Sequence, residues 1–201
     1  MLGCLRTRWR YRRATASGCF RTAGALVALI LLSWGGHARA GEFIVDNTTD
    51  CAVWNPNPVA GESISWDGGC TNGKAVGAGT VHWFEAGEEV QTVSGTFEAG
   101  RIIGRGTLSW ASGHRYEGEF QDSEFYGVGV FTWPDGSRYE GEFSVGRRHG
   151  TGVYSRPSGH RYEGPYFRGE RHGEGRCFTP GFGWEACRWF QGERIESGVE
   201  A

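Results

Sequence analysis

The sequence predicts an all-β protein, an elongated, solenoid-like antiparallel sheet of stacked β-hairpins. Three observations lead there. Glycine fills 35 of 201 positions, more than twice the ordinary ~7 %, with six prolines and no Gly-X-Y triplet, so collagen is excluded. The chain carries 9 Trp, 12 Phe and 7 Tyr, too many aromatic residues for a disordered linker. The text also repeats with a period of 23 residues, most plainly at Tyr116, Tyr139 and Tyr162. A single Met and the lack of long helix-forming text argue against a helical bundle.

Residues 1–40 read as a leader. They hold seven Arg and no Asp or Glu, then the apolar run Ala23 to Trp34, then Ala38-Arg39-Ala40. A basic start, a short apolar run and an A-x-A site describe a secretory signal peptide. Twelve residues span about 18 Å as a helix, short of the ~30 Å bilayer core. The expected cleavage follows Ala40 and leaves 41–201, exported to the periplasm or secreted. Rival readings are a twin-arginine signal at Arg12-Arg13, a lipoprotein box ending at Cys19 and an organelle transit peptide. Ala14-Thr15-Ala16 lacks the apolar follow-up of the first, the box precedes the apolar run, and the compact apolar run argues against the third.

Without the leader the chain carries 14 basic and 23 acidic residues, a net −9. Such a balance disfavours nucleic acid and broad binding to anionic membranes. The charge is uneven: residues 41–137 net −10 and residues 138–194 net +3.

Residues 41–65 read as an N-terminal cap, with Phe43-Ile44-Val45 as a short strand and Trp54-Asn55-Pro56-Asn57-Pro58 as a rigid loop. Cys51, Cys70, Cys177 and Cys187 remain after cleavage, an even number suited to disulfides in an oxidising compartment. Three pairings are possible. Cys51–Cys70 and Cys177–Cys187 are favoured because each is local and sits at one end of the array. No C-x-x-C occurs, and no metal site is expected.

Each repeat opens with an alternating segment such as Tyr116-Glu117-Gly118-Glu119-Phe120. Aromatics point one way and glutamates the other. A Gly-x-Gly segment follows, as in Gly127-Val128-Gly129-Val130-Phe131-Thr132-Trp133, and a turn such as Asp135-Gly136, Ser112-Gly113 or Ser158-Gly159. The same-face set across units is Val81, Leu108, Phe131, Tyr154 and Cys177. A more distant copy starts at Trp66, displaced by four extra residues, and a half-unit from Glu185 to Gly192 closes the array. A single hairpin cannot bury its face; stacking on the next does.

This pattern resembles the MORN repeat (membrane occupation and recognition nexus), Y-x-G-x-[WF]-x-x-G-x-x-x-G-x-G. Five and a half units match, residues 66–192, followed by a tail at 193–201. Ser123 departs from it in place of a turn glycine, Pro165 in a first strand, and Arg156 and Thr179 in place of the second-strand Trp. The last units should therefore bury less aromatic area. The resemblance implies an interaction module. Some such repeats accompany lipid kinases or a lysine methyltransferase, for which the residues outside the array leave no room.

No constellation supports an enzyme or a cofactor. The Gly-x-Gly pairs recur at the period and open no helix, so they are structural. Cys177 near His172 fills an inward slot and has a disulfide partner. The glutamate columns read as solvated ladders countered by Arg115, Arg138 and Arg161. Two sets of residues are candidates for binding. Arg147, Arg148, His149, Arg171 and His172, at hairpin tips in register, suit a phosphate, a lipid headgroup or an acidic partner. Trp83, Trp110 and Trp133 suit a sugar or peptide if exposed, and core packing if not. His149 and His172 are too few for a metal. Asn47-Thr48-Thr49 is a glycosylation sequon in a eukaryotic secretory host. The expected function is a non-enzymatic scaffold for an envelope or secreted protein partner. The alternative is a module for envelope glycans or phospholipids. The open ends of the array also permit an edge-to-edge homodimer.

Overall fold

The structure is a computed structural model that describes residues 41–195. The leader with its cleavage site, and the end of the tail, lie outside the described residues. Among the described residues there are sixteen strands and no helix. Four short strands come first: β1 (Glu42–Val45), β2 (Ala52–Asn55), β3 (Glu62–Trp66) and β4 (Gly69–Thr71). The array then runs through β5 (Lys74–Glu85), β6 (Glu88–Glu98), β7 (Arg101–Trp110), β8 (Arg115–Gln121), β9 (Glu124–Thr132), β10 (Arg138–Ser144) and β11 (Arg147–Ser155). It ends with β12 (Arg161–Phe167), β13 (Glu170–Arg171), β14 (Gly173–Thr179), β15 (Gly183–Phe190) and β16 (Glu193–Ile195). Consecutive strands are neighbours along one sheet, with β3 and β4 beside β5 and β13 beside β12. The expected antiparallel order has one exception: β2 lies parallel to β5 at Ala52 and Lys74. The last strand also takes in Glu193–Ile195, which the sequence assigned to a tail.

The repeat text has a direct geometric cause. Tyr116, Tyr139 and Tyr162 are at most 1 % exposed. Each ring lies flat across two glycines, one on its own strand and one on the next. A Cβ added at Gly118 or Gly129 would come within 2.5–2.6 Å of the Tyr116 hydroxyl oxygen. A Cβ added at Gly141 would meet the Tyr139 hydroxyl oxygen at 2.7 Å, and one at Gly152 would meet it at 2.5 Å. One at Gly164 would meet the Tyr162 hydroxyl oxygen at 2.5 Å, and one at Gly175 would meet Cε2 of the same ring at 2.7 Å. Each hydroxyl donates to the carbonyl three residues on: Glu119 at 2.8 Å, Glu142 at 2.9 Å and Pro165 at 3.0 Å. The second glycine of each Gly-x-Gly thus makes room for a ring.

The first glycine has a different task. Gly127 and Gly150 take φ of +58° and +54°. There the hairpin register jumps, from Gly118↔Gly129 to Glu119↔Tyr126 and from Gly141↔Gly152 to Glu142↔His149. A bulge recurring once per unit bends and twists the ribbon at the same place each time.

Trp66 holds the tyrosine position in the opening unit. It pairs with Val81 fifteen residues on, as Tyr116 pairs with Phe131. Its ring covers Gly68 and Gly79, and its Nε1 donates to the Gly69 carbonyl at 2.9 Å. In the next unit Val93 is too short, and Ile102 Cδ1 lies over Gly95 and Gly106 instead. In the closing half-unit the position falls to Glu185, which is exposed. There the Cys177–Cys187 bridge ties β15 to β14, while Cys51–Cys70 ties the cap to the array.

The same-face set follows the expected gradient. Val81 and Leu108 are buried, and Phe131, Tyr154 and Cys177 are half-buried. Pro165 stays within β12, against Gly173. Ser123 adopts the left-handed turn conformation of the glycine it replaces, at φ +68°.

Candidate functional site

The two faces of the ribbon differ in chemistry. One carries the ladder of Arg115–Glu117, Arg138–Glu140 and Arg161–Glu163 pairs. These are largely exposed and contribute little to stability. Glu142 accepts hydrogen bonds from the backbone and hydroxyl of Thr151, both at 2.8 Å, which hold its carboxyl below the usual range. That carboxylate closes the bulge at Gly150.

The other face carries the aromatic core and a groove of about 380 Å³, lined by Val53, Trp54, Trp83, Ile102 and Trp110 and also by the acidic residues Glu62, Glu85 and Glu124. The cap forms one wall: Trp54 N–H donates to the Gly100 carbonyl at 2.8 Å, and Arg101 lies 3.9 Å over the Trp54 ring. A second hollow of about 230 Å³ follows, lined by Phe125, Phe131, Trp133, Phe143, Arg147 and Arg148. The tryptophan column lines these two hollows. Trp83 is 5 % exposed, so it is core. Trp110 and Trp133 are half-buried, packed on Phe131 at 5.8 and 4.7 Å.

The five basic candidates do not form one patch. Arg147 is exposed beside the turn. His149 and His172 join a row of tilted rings with Phe167 and Phe190, with centroids 5.4–5.8 Å apart. Arg148 and Arg171 lie on the aromatic face, opposite Phe143 and Tyr166 in their ladders. Arg148 sits over Tyr166 at 5.2 Å and over Trp133 and Tyr139 at 5.7 Å, with an N–H on the Gly169 carbonyl. Arg171 sits over Trp189 at 4.6 Å, Tyr162 at 4.8 Å and Tyr154 at 5.3 Å. Among the described residues neither guanidinium has a carboxylate within 4.0 Å.

Reading Arg147-Arg148-His149 as a tip missed this placement, although the period contained the signal. Positions 102, 125, 148 and 171 are 23 apart and hold Ile, Phe, Arg and Arg. The column that is apolar in the first half of the array is cationic in the second. Tyr166 belongs to the same environment. Burial raises its phenol above the ordinary value, and burial pushes Tyr162 up to about 12.

The MORN repeat model matches four successive segments, residues 94–115, 116–138, 139–161 and 162–182. These segments are MORN repeats. Each of the last three opens on its buried tyrosine. MORN repeats generally mediate protein–membrane or protein–protein interactions, and proteins built from them are generally non-catalytic scaffolds. No curated protein matches the chain.

Proposed function

We propose that this protein is a non-enzymatic MORN-repeat scaffold, exported to the cell envelope or secreted, that docks a protein partner along its aromatic face. One observation carries the reading. Arg148 and Arg171 lie half-buried on aromatic rings without a carboxylate, and Arg148 lines the hollow of Phe125, Phe131, Trp133 and Phe143. Aromatic residues and arginine are the side chains that concentrate binding energy at interfaces. The paired cysteines at both ends support an oxidising compartment, and the leader-like text of residues 1–40 supports export. The organisation proposed is a signal peptide at 1–40, a cap at 41–65, an array at 66–192 and a tail beyond.

The test is site-specific photo-crosslinking of the full chain in its native cells, with the probe at Trp110. A discrete protein adduct supports the reading. The absence of any adduct, or adducts with lipid alone, counts against it. A glycan- or phospholipid-binding role is the second reading, favoured by the half-exposed Trp110 and Trp133 that line the hollows. Sedimentation with cell-wall sacculi or liposomes at low salt checks it, and no pelleting dismisses it.

A further inference from the structure

We infer that Arg148, Tyr166, Arg171 and Trp189 form a binding site for the carboxylates of an acidic protein segment lying across the second half of the aromatic face. This rests on the docking reading above and names the partner's chemistry.

The four side chains are donors short of acceptors. Arg148 spends one N–H on the Gly169 carbonyl, which fixes its direction, and keeps the others. Arg171 has no carboxylate within 4.0 Å among the described residues. Tyr166 is 3 % exposed and its hydroxyl finds no acceptor. Trp189 Nε1 is buried and likewise unpaired. Buried donors are normally paired. A set that lacks only acceptors fits a ligand that offers only acceptors, and an ionised carboxylate is one.

Two columns change in neighbouring units to make the set. Positions 97, 120 and 143 are Phe, whereas 166 is Tyr and 189 is Trp. Positions 102 and 125 are Ile and Phe, whereas 148 and 171 are Arg. Tyr166 and Arg171 share one unit, Arg148 lies one unit earlier and Trp189 in the closing half-unit, so the polar groups gather at the end of the array where Tyr162 still holds the place of Tyr116 and Tyr139. Packing alone calls for neither switch.

Spacing selects the occupant. Arg148 and Arg171 stand one repeat apart, two strand spacings or about 10 Å. One small anion does not bridge that gap. In a polyproline II segment, with three residues per turn and a rise of about 3.1 Å, two acidic side chains three residues apart face the same side about 9 Å apart. The hollow of Phe125, Phe131, Trp133 and Phe143, which Arg148 itself lines, gives the rest of such a segment a place to lie.

The test uses the disulfide-intact protein and a six-residue peptide with two glutamates three residues apart, titrated by calorimetry. The same peptide with glutamines, inorganic phosphate and vesicles of anionic phospholipid form the other arms. The glutamate peptide is expected to bind saturably and the glutamine peptide not. Arg148→Gln with Arg171→Gln should weaken binding at least tenfold, and Arg171→Lys should restore part of the loss. Tyr166→Phe should weaken binding several-fold without lowering the thermal midpoint, so misfolding cannot explain the effect. Equal binding of both peptides, no binding, or stronger binding of phosphate or vesicles than of the glutamate peptide overturns the inference. If the Trp110 adduct persists unchanged in the double arginine variant, the carboxylate site falls and the docking face stands. If wild-type protein gives no adduct, the docking face falls and the titration still decides the site.

Discussion

Substituting Gly152 by alanine tests why the repeat has its sequence. An alanine Cβ there would lie 2.5 Å from both Cε2 and the hydroxyl oxygen of Tyr139 and 2.6 Å from Cζ. The ring cannot swing away cheaply, because it is fully buried and its hydroxyl is held by the Glu142 carbonyl. Overpacking costs about 1–3 kcal/mol, and losing the hydroxyl bond adds about 1 kcal/mol. The expected loss is about 3 kcal/mol, or roughly 6–12 °C in Tm for a domain of this size. Gly104→Ala is the control. Its φ is +64° but nothing lies within 4 Å of the added Cβ. The left-handed strain of about 1–2 kcal/mol is partly offset by the reduced freedom of the unfolded chain, leaving about 1 kcal/mol. Urea denaturation followed by tryptophan fluorescence compares the two. In a Tyr139→Leu background the cost of Gly152→Ala should shrink below about 1 kcal/mol, because the ring that it strikes is gone. Equal costs for Gly152→Ala and Gly104→Ala, or no relief in the double variant, would refute the ring-on-glycine account.

Three further outcomes are expected. Val145, a β-branched residue held at φ +48° and 68 % exposed before Gly146, sits in a turn that favours Asn-Gly; Val145→Asn should stabilise by about 1 kcal/mol in the same urea assay. Tyr162→Phe removes the bond to the Pro165 carbonyl and should cost about 1 kcal/mol, whereas Tyr166→Phe removes an unpaired hydroxyl and should be neutral or stabilising by thermal melting. Asp46 in the cap is pushed up by burial, but hydrogen bonds from Thr48 N–H, Thr49 Oγ1 and Trp66 N–H outweigh this and hold it below its ordinary 3.8. Its contribution is therefore complete at neutral pH and is lost as pH falls through that lowered value. Asp46→Asn should cost about 1–3 kcal/mol at pH 7 and flatten the acid limb of a fluorescence-monitored pH titration.

The sequence made the hairpin array legible because the array is local. Period-two alternation in Tyr-Glu-Gly-Glu-Phe, the paired glycines and the 23-residue spacing all lie within one or two units. Even the distant opening copy at Trp66 was visible, since indole N–H can replace phenol hydroxyl in the same bond. The cap was less legible. Its parallel contact between Ala52 and Lys74, and the wall that Trp54 builds beside Gly100, join segments with no common period. The arginines were misplaced for a related reason. A run of Arg-Arg-His at a strand end reads as solvated. Only rings contributed by several strands turn it into a seat: Trp133, Tyr139 and Tyr166 for Arg148, and Tyr154, Tyr162 and Trp189 for Arg171. Counting 23 back from Arg148 to Phe125 and Ile102 places it on the aromatic face; composition alone does not.

The most direct test of the docking account compares photo-crosslinking from the two faces of neighbouring repeats, with the probe at Trp110 on the aromatic face and at Glu117 on the charged face. The account predicts a discrete protein adduct from Trp110, carrying an acidic segment, and none from Glu117. Adducts from Glu117 alone, or equally from both positions, would contradict it.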